Sequence, residues 1–209
     1  MSSERPTRGS LFVIAAPSGA GKTSLVRALM QLRPELRFSI SYTTRKQRPA
    51  ERHGHDYFFI DKPQFESMIE GREFLEHAQV FDNFYGTSRA QVEEMLAAGS
   101  NVLLEIDWQG AQQIRSAMPE CQSIFILPPS RTELERRLRD RGTDSDEVIA
   151  RRLRDSLADM SHWNEFDYVV VNDDFAQATA DLQAIVSGQG AGLRAGRSEI
   201  QTLTQRLLG

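Results

Sequence analysis

The chain has one cysteine, three lysines and no apolar run that approaches the length of a membrane span. Each shortage excludes something. Cys121 has no second cysteine to pair with, so an internal disulfide is ruled out, and with no export signal a reducing cytoplasm is the expected setting. The first apolar run, Leu11–Ala16, falls well short of the roughly 20 residues that cross a bilayer, so no membrane partner is expected. Net charge is −4, and bulk electrostatics therefore gives no reason to expect nucleic acid. His53 and His55 sit one residue apart with no cysteine or further histidine nearby, which reads as a loop and not a metal site. No Ser/His/Asp grouping suggests nucleophilic catalysis.

What is present is the composition of an ordinary globular chain, long enough at 209 residues to bury one core and carry smaller segments on it. Leu11–Ala16 is a continuous apolar run that ends in a glycine-rich turn, the pattern of a buried parallel strand. From Lys22 the spacing turns helical, with Leu25, Leu29 and Leu32 on one stripe as far as Pro34. Further strand-like runs at 101–106, 123–127 and 168–171 are each followed by a helical stretch, which predicts an α/β fold with a mainly parallel sheet flanked by helices. Residues 38–98 break this rhythm. Short alternating runs there surround a helix near 61–70, capped by Asp61 and stopped by Gly71, and they read as an inserted α+β subdomain. Ser88 with Gln91 predicts a capping box, and Gly99 the end of that helix. Ser130 with Glu133 opens an arginine-rich helix, a further helix follows at 146–161, and 174–187 reads as the last core helix. Glycines in 188–196 suggest a flexible linker before a short terminal helix.

The strongest local signal is Ala16-Pro17-Ser18-Gly19-Ala20-Gly21-Lys22-Thr23, which matches the phosphate-loop pattern except that alanine replaces the first glycine. Such a loop turns its backbone N–H groups inward onto phosphate oxygens, and the helix that follows adds the positive end of its dipole. Lys22 would reach the β- and γ-phosphates and the Thr23 hydroxyl would ligate Mg²⁺, so ATP with Mg²⁺ is the expected donor pair. Arg45 and Arg48 lie three apart, with Tyr57 and Tyr85 in nearby segments. Arginine forks with phenol hydroxyls can bind a second phosphate, although the same cluster could be a solvated turn. Glu76 shares its strand parity with Phe74, Ala78 and Val80. A carboxylate on an apolar face needs a partner, either an internal ion pair or a ligand with two donors such as guanine N1–H and its 2-amino group. Glu105 and Asp107 flank Ile106 at a strand end where α/β proteins bind ligands, and one of them suits a Mg²⁺ site.

Taken together these stretches resemble the guanylate kinase family along roughly residues 9–187. The matching segments are Ala16–Thr23, Thr43-Thr44-Arg45, Gly54-x-Asp56-Tyr57, Glu76, Tyr85-Gly86-Thr87, Ile106-Asp107-Trp108-Gln109-Gly110, Pro128-Pro129-Ser130, Arg141-Gly142 and Val171-Asn172-Asp173-Asp174. The resemblance implies a P-loop NTPase core (9–40, 93–127, 162–187), an inserted GMP-binding subdomain (41–92) and a helical lid (128–161), with 188–209 as a tail. It implies transfer of the ATP γ-phosphate to GMP. Arg45, Arg48, Tyr57 and Tyr85 would hold the GMP phosphate, and Ser41, Glu76 and Thr87 would read the guanine. Glu105 and Asp107 would complete the acceptor site, although many relatives have Asp where Glu105 stands. Lys22, Arg45, Asp107 and the arginines Arg137, Arg141 and Arg152 would carry the transfer, with Asn172 near the adenine. Two other readings share the pattern in part: a protein-binding module of the same fold without turnover, and a related sugar-phosphate kinase. The tail could pack, swap or stay loose, which leaves a homo-oligomer open.

Overall fold

The apolar runs become the strands of a parallel sheet in the computed structural model, which describes residues 8–80, 82–140 and 145–209. In chain order the elements begin with β1 (Leu11–Ala15), α1 (Lys22–Leu32), β2 (Arg37–Phe38), β3 (Tyr42–Thr43), β4 (Phe58–Phe59), α2 (Lys62–Glu70), β5 (Phe74–Val80) and β6 (Asn83–Ser88). They continue with α3 (Arg89–Ala97), β7 (Val102–Glu105), α4 (Trp108–Ala117), β8 (Gln122–Leu127), α5 (Arg131–Arg139), α6 (Asp146–Met160), β9 (Tyr168–Val171), α7 (Phe175–Val186) and α8 (Ser198–Leu208). The larger sheet has the order β2-β7-β1-β8-β9 and the smaller one β4-β3-β6-β5. Every residue of β1 is buried, as expected for a parallel strand covered on both faces.

The chain divides into two compact units. One holds the described residues up to Leu11 together with Glu35–Leu104 and Gln109–Cys121. In it β5 and β6 pair antiparallel, β3 joins β6 antiparallel and β4 parallel, and Phe65, Met68 and Phe74 form a small core beneath them. Strand β5 has a register shift between Phe74 and Glu76, so Glu76 sits opposite Thr87. The amide of Gln113 on α4 extends this ladder, since Nε2 donates to His77 O at 2.8 Å and Oε1 accepts from His77 N–H at 3.1 Å.

The other unit holds Phe12–Pro34, Glu105–Trp108 and Gln122–Gly209. Here β8 pairs in parallel with β1 and β9, and Leu25, Leu29, Ile124, Phe125, Leu182 and Ile185 are fully buried.

Helix starts follow the capping residues. Asp61, Ser88, Ser130 and Asp174 each accept a backbone N–H three residues on. Two expectations need correction, and a third holds with a difference of detail. Gln91 does not close a capping box, because its side-chain oxygen accepts from Ser39 Oγ at 3.0 Å. Gly71 does end α2, in right-handed conformation, and the left-handed step falls on Arg72 (φ 54°). The 188–196 stretch is not a loose linker: a 3₁₀ turn at Gly190–Leu193 follows α7, Gly190 packs so tightly on Ile185 and Tyr168 that a Cβ would collide, and Arg194 bridges to Tyr168. Of its glycines only Gly190 serves close approach, whereas a Cβ on Gly188, Gly192 or Gly196 would meet nothing within 4 Å, and composition alone does not distinguish the two cases.

Candidate active site

Two groups of residues come together, one in each unit. In the unit that carries the smaller sheet, Arg45 is the hub. Its guanidinium donates to Glu51 Oε1 at 2.7 Å, lies over the Tyr57 ring at 5.4 Å and interacts with Tyr85, whose ring meets that of Tyr57 edge-on at 6.0 Å. The other Glu51 oxygen accepts the Arg48 backbone N–H at 2.9 Å, while the Arg48 side chain stays exposed. The hydrogen bond from Arg45 holds the Glu51 carboxyl below its usual range and raises the already high Arg45. Glu51 was not singled out by the sequence reading, because one acid in a polar loop carries no pattern.

Glu76 is 3% exposed, and Thr87, also buried, donates its hydroxyl to Glu76 Oε1 at 2.6 Å. Glu76 is thus buried as expected, but the register shift puts it on the face opposite Phe74, so the parity holds only with Ala78 and Val80; two of the three expected base-reading residues are in direct contact. Ser41 contributes its carbonyl to Phe58 N–H in the β3–β4 region.

In the second unit, residues 16–23 form the turn between β1 and α1. Gly19 and Gly21 both take positive φ (88° and 91°), a conformation that side chains resist. No side chain caps α1 at Gly21, so the helix N-terminus is left to other acceptors. One detail departs from expectation: Ala20 N–H is turned onto Pro17 O at 3.2 Å, so not every loop N–H points inward. Lys22 Nζ donates to Ile106 O at 2.6 Å, and Thr23 Oγ1 donates to Glu105 Oε1 at 2.6 Å. Glu105, expected beside GMP, is thus engaged by the phosphate loop. Glu105 and Asp107 are half-exposed on either side of buried Ile106, as their parity suggested.

The next residue, Trp108, is clamped. Its indole stacks on His162 at 3.5 Å and donates to Asp159 Oδ1 at 3.0 Å. Burial pushes the Asp159 carboxyl above its ordinary value, with the Trp108 hydrogen bond opposing and the charge of Asp107 adding to the rise.

On α5, Arg137 Nε donates to Glu133 at 2.7 Å and Nη2 to Asn172 O at 3.0 Å. Its Nη1 is buried with no hydrogen-bond partner among the described residues. Glu133, held by Arg136 and Arg137, has its pKa lowered to about 2. Arg152 lies half-buried on α6, whereas Arg141 falls outside the described residues. Asn172 is buried, and its amide donates to Ala20 O at 2.7 Å.

The phosphate loop thus has an acid beside its Thr, and the smaller sheet carries a buried carboxylate and an arginine set over a tyrosine ring. A family model described as guanylate kinase matches residues 8–189. The chain belongs to the guanylate kinase family. Guanylate kinase of Methylococcus capsulatus is 55% identical over 203 residues, covering 97% of this chain and all of that one. Guanylate kinase of Yersinia pestis is 54% identical over 194 residues, covering 92% and 93%. Among solved structures, guanylate kinase from Anaplasma phagocytophilum superposes with a TM-score of 0.73 at 34% identity, covering 88% of each chain. Guanylate kinase membership accounts for the α/β fold with its parallel sheet flanked by helices.

Proposed function

We propose that this chain transfers the γ-phosphate of ATP to GMP, giving ADP and GDP. The observation that carries the reading is the buried Glu76–Thr87 pair in a chain that also has a full phosphate loop. A carboxylate kept at 3% exposure has one oxygen engaged by Thr87, and guanine offers it two adjacent donors. Residues 41–92 act as the GMP-binding subdomain and 128–161 as the lid, both within a cytoplasmic enzyme. Arg45, Arg48, Tyr57 and Tyr85 hold the acceptor phosphate, with Glu51 setting the arginine geometry. Ser41, Glu76 and Thr87 read the base.

The donor side is supported by two features. Arg137 Nη1 is a buried donor suited to an anionic oxygen, and Thr23 with Glu105 presents the hard oxygens that Mg²⁺ takes alongside phosphates and water. Bound Mg²⁺ would neutralise phosphate charge during transfer. Lys22 is poised at Ile106 O to exchange that carbonyl for phosphate oxygens. Arg137, Arg141 and Arg152 would spread the charge of the moving group, and Asp107 would position the acceptor. Because phosphoryl transfer needs mainly positioning and charge stabilisation, the absence of a strong general base among these residues is no obstacle.

The test is selectivity. A site built to hydrogen-bond its ligand rejects an analogue lacking the donors by about 10⁴–10⁵-fold, and AMP lacks both N1–H and the 2-amino group. Glu76→Gln should lower kcat/KM for GMP by at least ~100-fold and shrink the GMP-to-AMP ratio by a similar factor. Retained selectivity in the folded variant would remove Glu76 from base recognition.

A further inference from the structure

The phosphate loop is usually described by the N–H groups it offers, yet each inward N–H belongs to a peptide whose carbonyl faces the other way. With no cis peptide bond among the described residues, the Ser18 C=O is opposed to the Gly19 N–H, and the Ala20 C=O to the Gly21 N–H. Both carbonyls are taken by buried side chains from distant parts of the chain. Ser156, fully buried on α6, donates its hydroxyl to Ser18 O at 3.0 Å. Asn172, 5% exposed just after β9, donates its amide to Ala20 O at 2.7 Å. Two other loop carbonyls are satisfied locally, Pro17 O by Ala20 N–H and Gly21 O by Leu25 N–H.

We infer that Ser156 and Asn172 are positioning residues for the nucleotide triphosphate: they fix the two glycine peptides so that the Gly19 and Gly21 N–H groups face the phosphates. The inference rests on the phosphate-loop reading above and goes beyond it. Glycine at positive φ is the residue whose flanking peptides rotate most freely, so these two peptides most need an external hold. Packing agrees, since a Cβ on Gly21 would lie 2.3 Å from the Asn172 amide, and one on Gly19 would meet Leu134 and Leu138 of α5. Asn172 also receives Arg137 Nη2 on its backbone carbonyl, so one residue aligns both the loop and an arginine. This gives Asn172 a role other than contact with adenine. It also ties the posture of α5 and α6 to the shape of the phosphate loop.

The experiment compares wild type, Ser156→Ala and Asn172→Ala for binding of ATP, GTP and inorganic tripolyphosphate, each with Mg²⁺, and of GMP. Tripolyphosphate has no base, so it isolates the loop. Ser156→Ala places a strong helix former within α6 and is expected to fold. Loss of one oriented hydrogen bond should weaken tripolyphosphate and both nucleoside triphosphates alike, by about three- to tenfold, with GMP affinity unchanged. Unchanged tripolyphosphate affinity in folded Ser156→Ala would overturn the inference. A loss for ATP alone in Asn172→Ala would return that residue to base recognition. A wild-type chain that binds none of the three would overturn the proposed function itself, an outcome distinct from equal binding by wild type and variant.

Discussion

Glu51 orders two arginines at once, accepting the Arg45 side chain through one oxygen and the Arg48 backbone through the other. Its depressed pKa means that this hold is complete above the ordinary carboxylate value near 4.5, and is lost as pH falls through the lower folded value. A glutamine would replace one acceptor oxygen with a donor that neither Arg45 nor Arg48 can use. Glu51→Gln should therefore raise KM for GMP by about 5–20-fold, with kcat changed less than about twofold, as loss of a charge-assisted hydrogen bond implies. Initial-rate measurements at neutral pH check this, and an unchanged KM would show that Arg45 orients itself. Residues of this kind mark what the sequence did not disclose. Arg45, Tyr57 and Glu76 stood out through spacing or misplaced polarity, whereas Glu51, Ser156 and the amide role of Asn172 depend on partners that only folding supplies.

At the scale of elements, local signals were the reliable ones. A capping side chain bonds within one turn, so Asp61, Ser88 and Ser130 could be read without tertiary information. The continuous apolar run at Leu11–Ala16 likewise left little choice but a buried strand, which forms over Leu11–Ala15. Where a residue had competing partners, the local pattern misled: Gln91 turned to Ser39 instead of closing its capping box. The C-terminal helix shows the same limit. Helix α8 buries Ile200, Thr204 and Leu207, and Leu207 O accepts from Arg131 Nε on α5, so the tail is part of a packed core. Leu207→Ala should lower the unfolding free energy by about 2–4 kcal/mol, the usual cost of emptying a buried leucine site. Urea titration measures it, and a loss below about 1 kcal/mol would mean that α8 does not pack as described. GMP affinity at a temperature where the variant is folded should be unaffected, since α8 and the residues proposed to read GMP belong to different compact units.

For the whole molecule, the proposed function needs both a triphosphate loop and the residues proposed to read guanine in one turnover. Each competing reading keeps only part of that. A binding module of the same fold has no use for a Lys22–Thr23 phosphate loop, and a sugar-phosphate kinase has no use for a buried Glu76–Thr87 pair. The most direct measurement is ADP release from ATP and Mg²⁺ with GMP, AMP, CMP, UMP and ribose phosphates offered in turn. The account predicts strong turnover with GMP alone, on the order of 1–100 s⁻¹ as kinases typically show. Turnover confined to a sugar phosphate, or none with any acceptor from folded protein that still binds GMP, would contradict it.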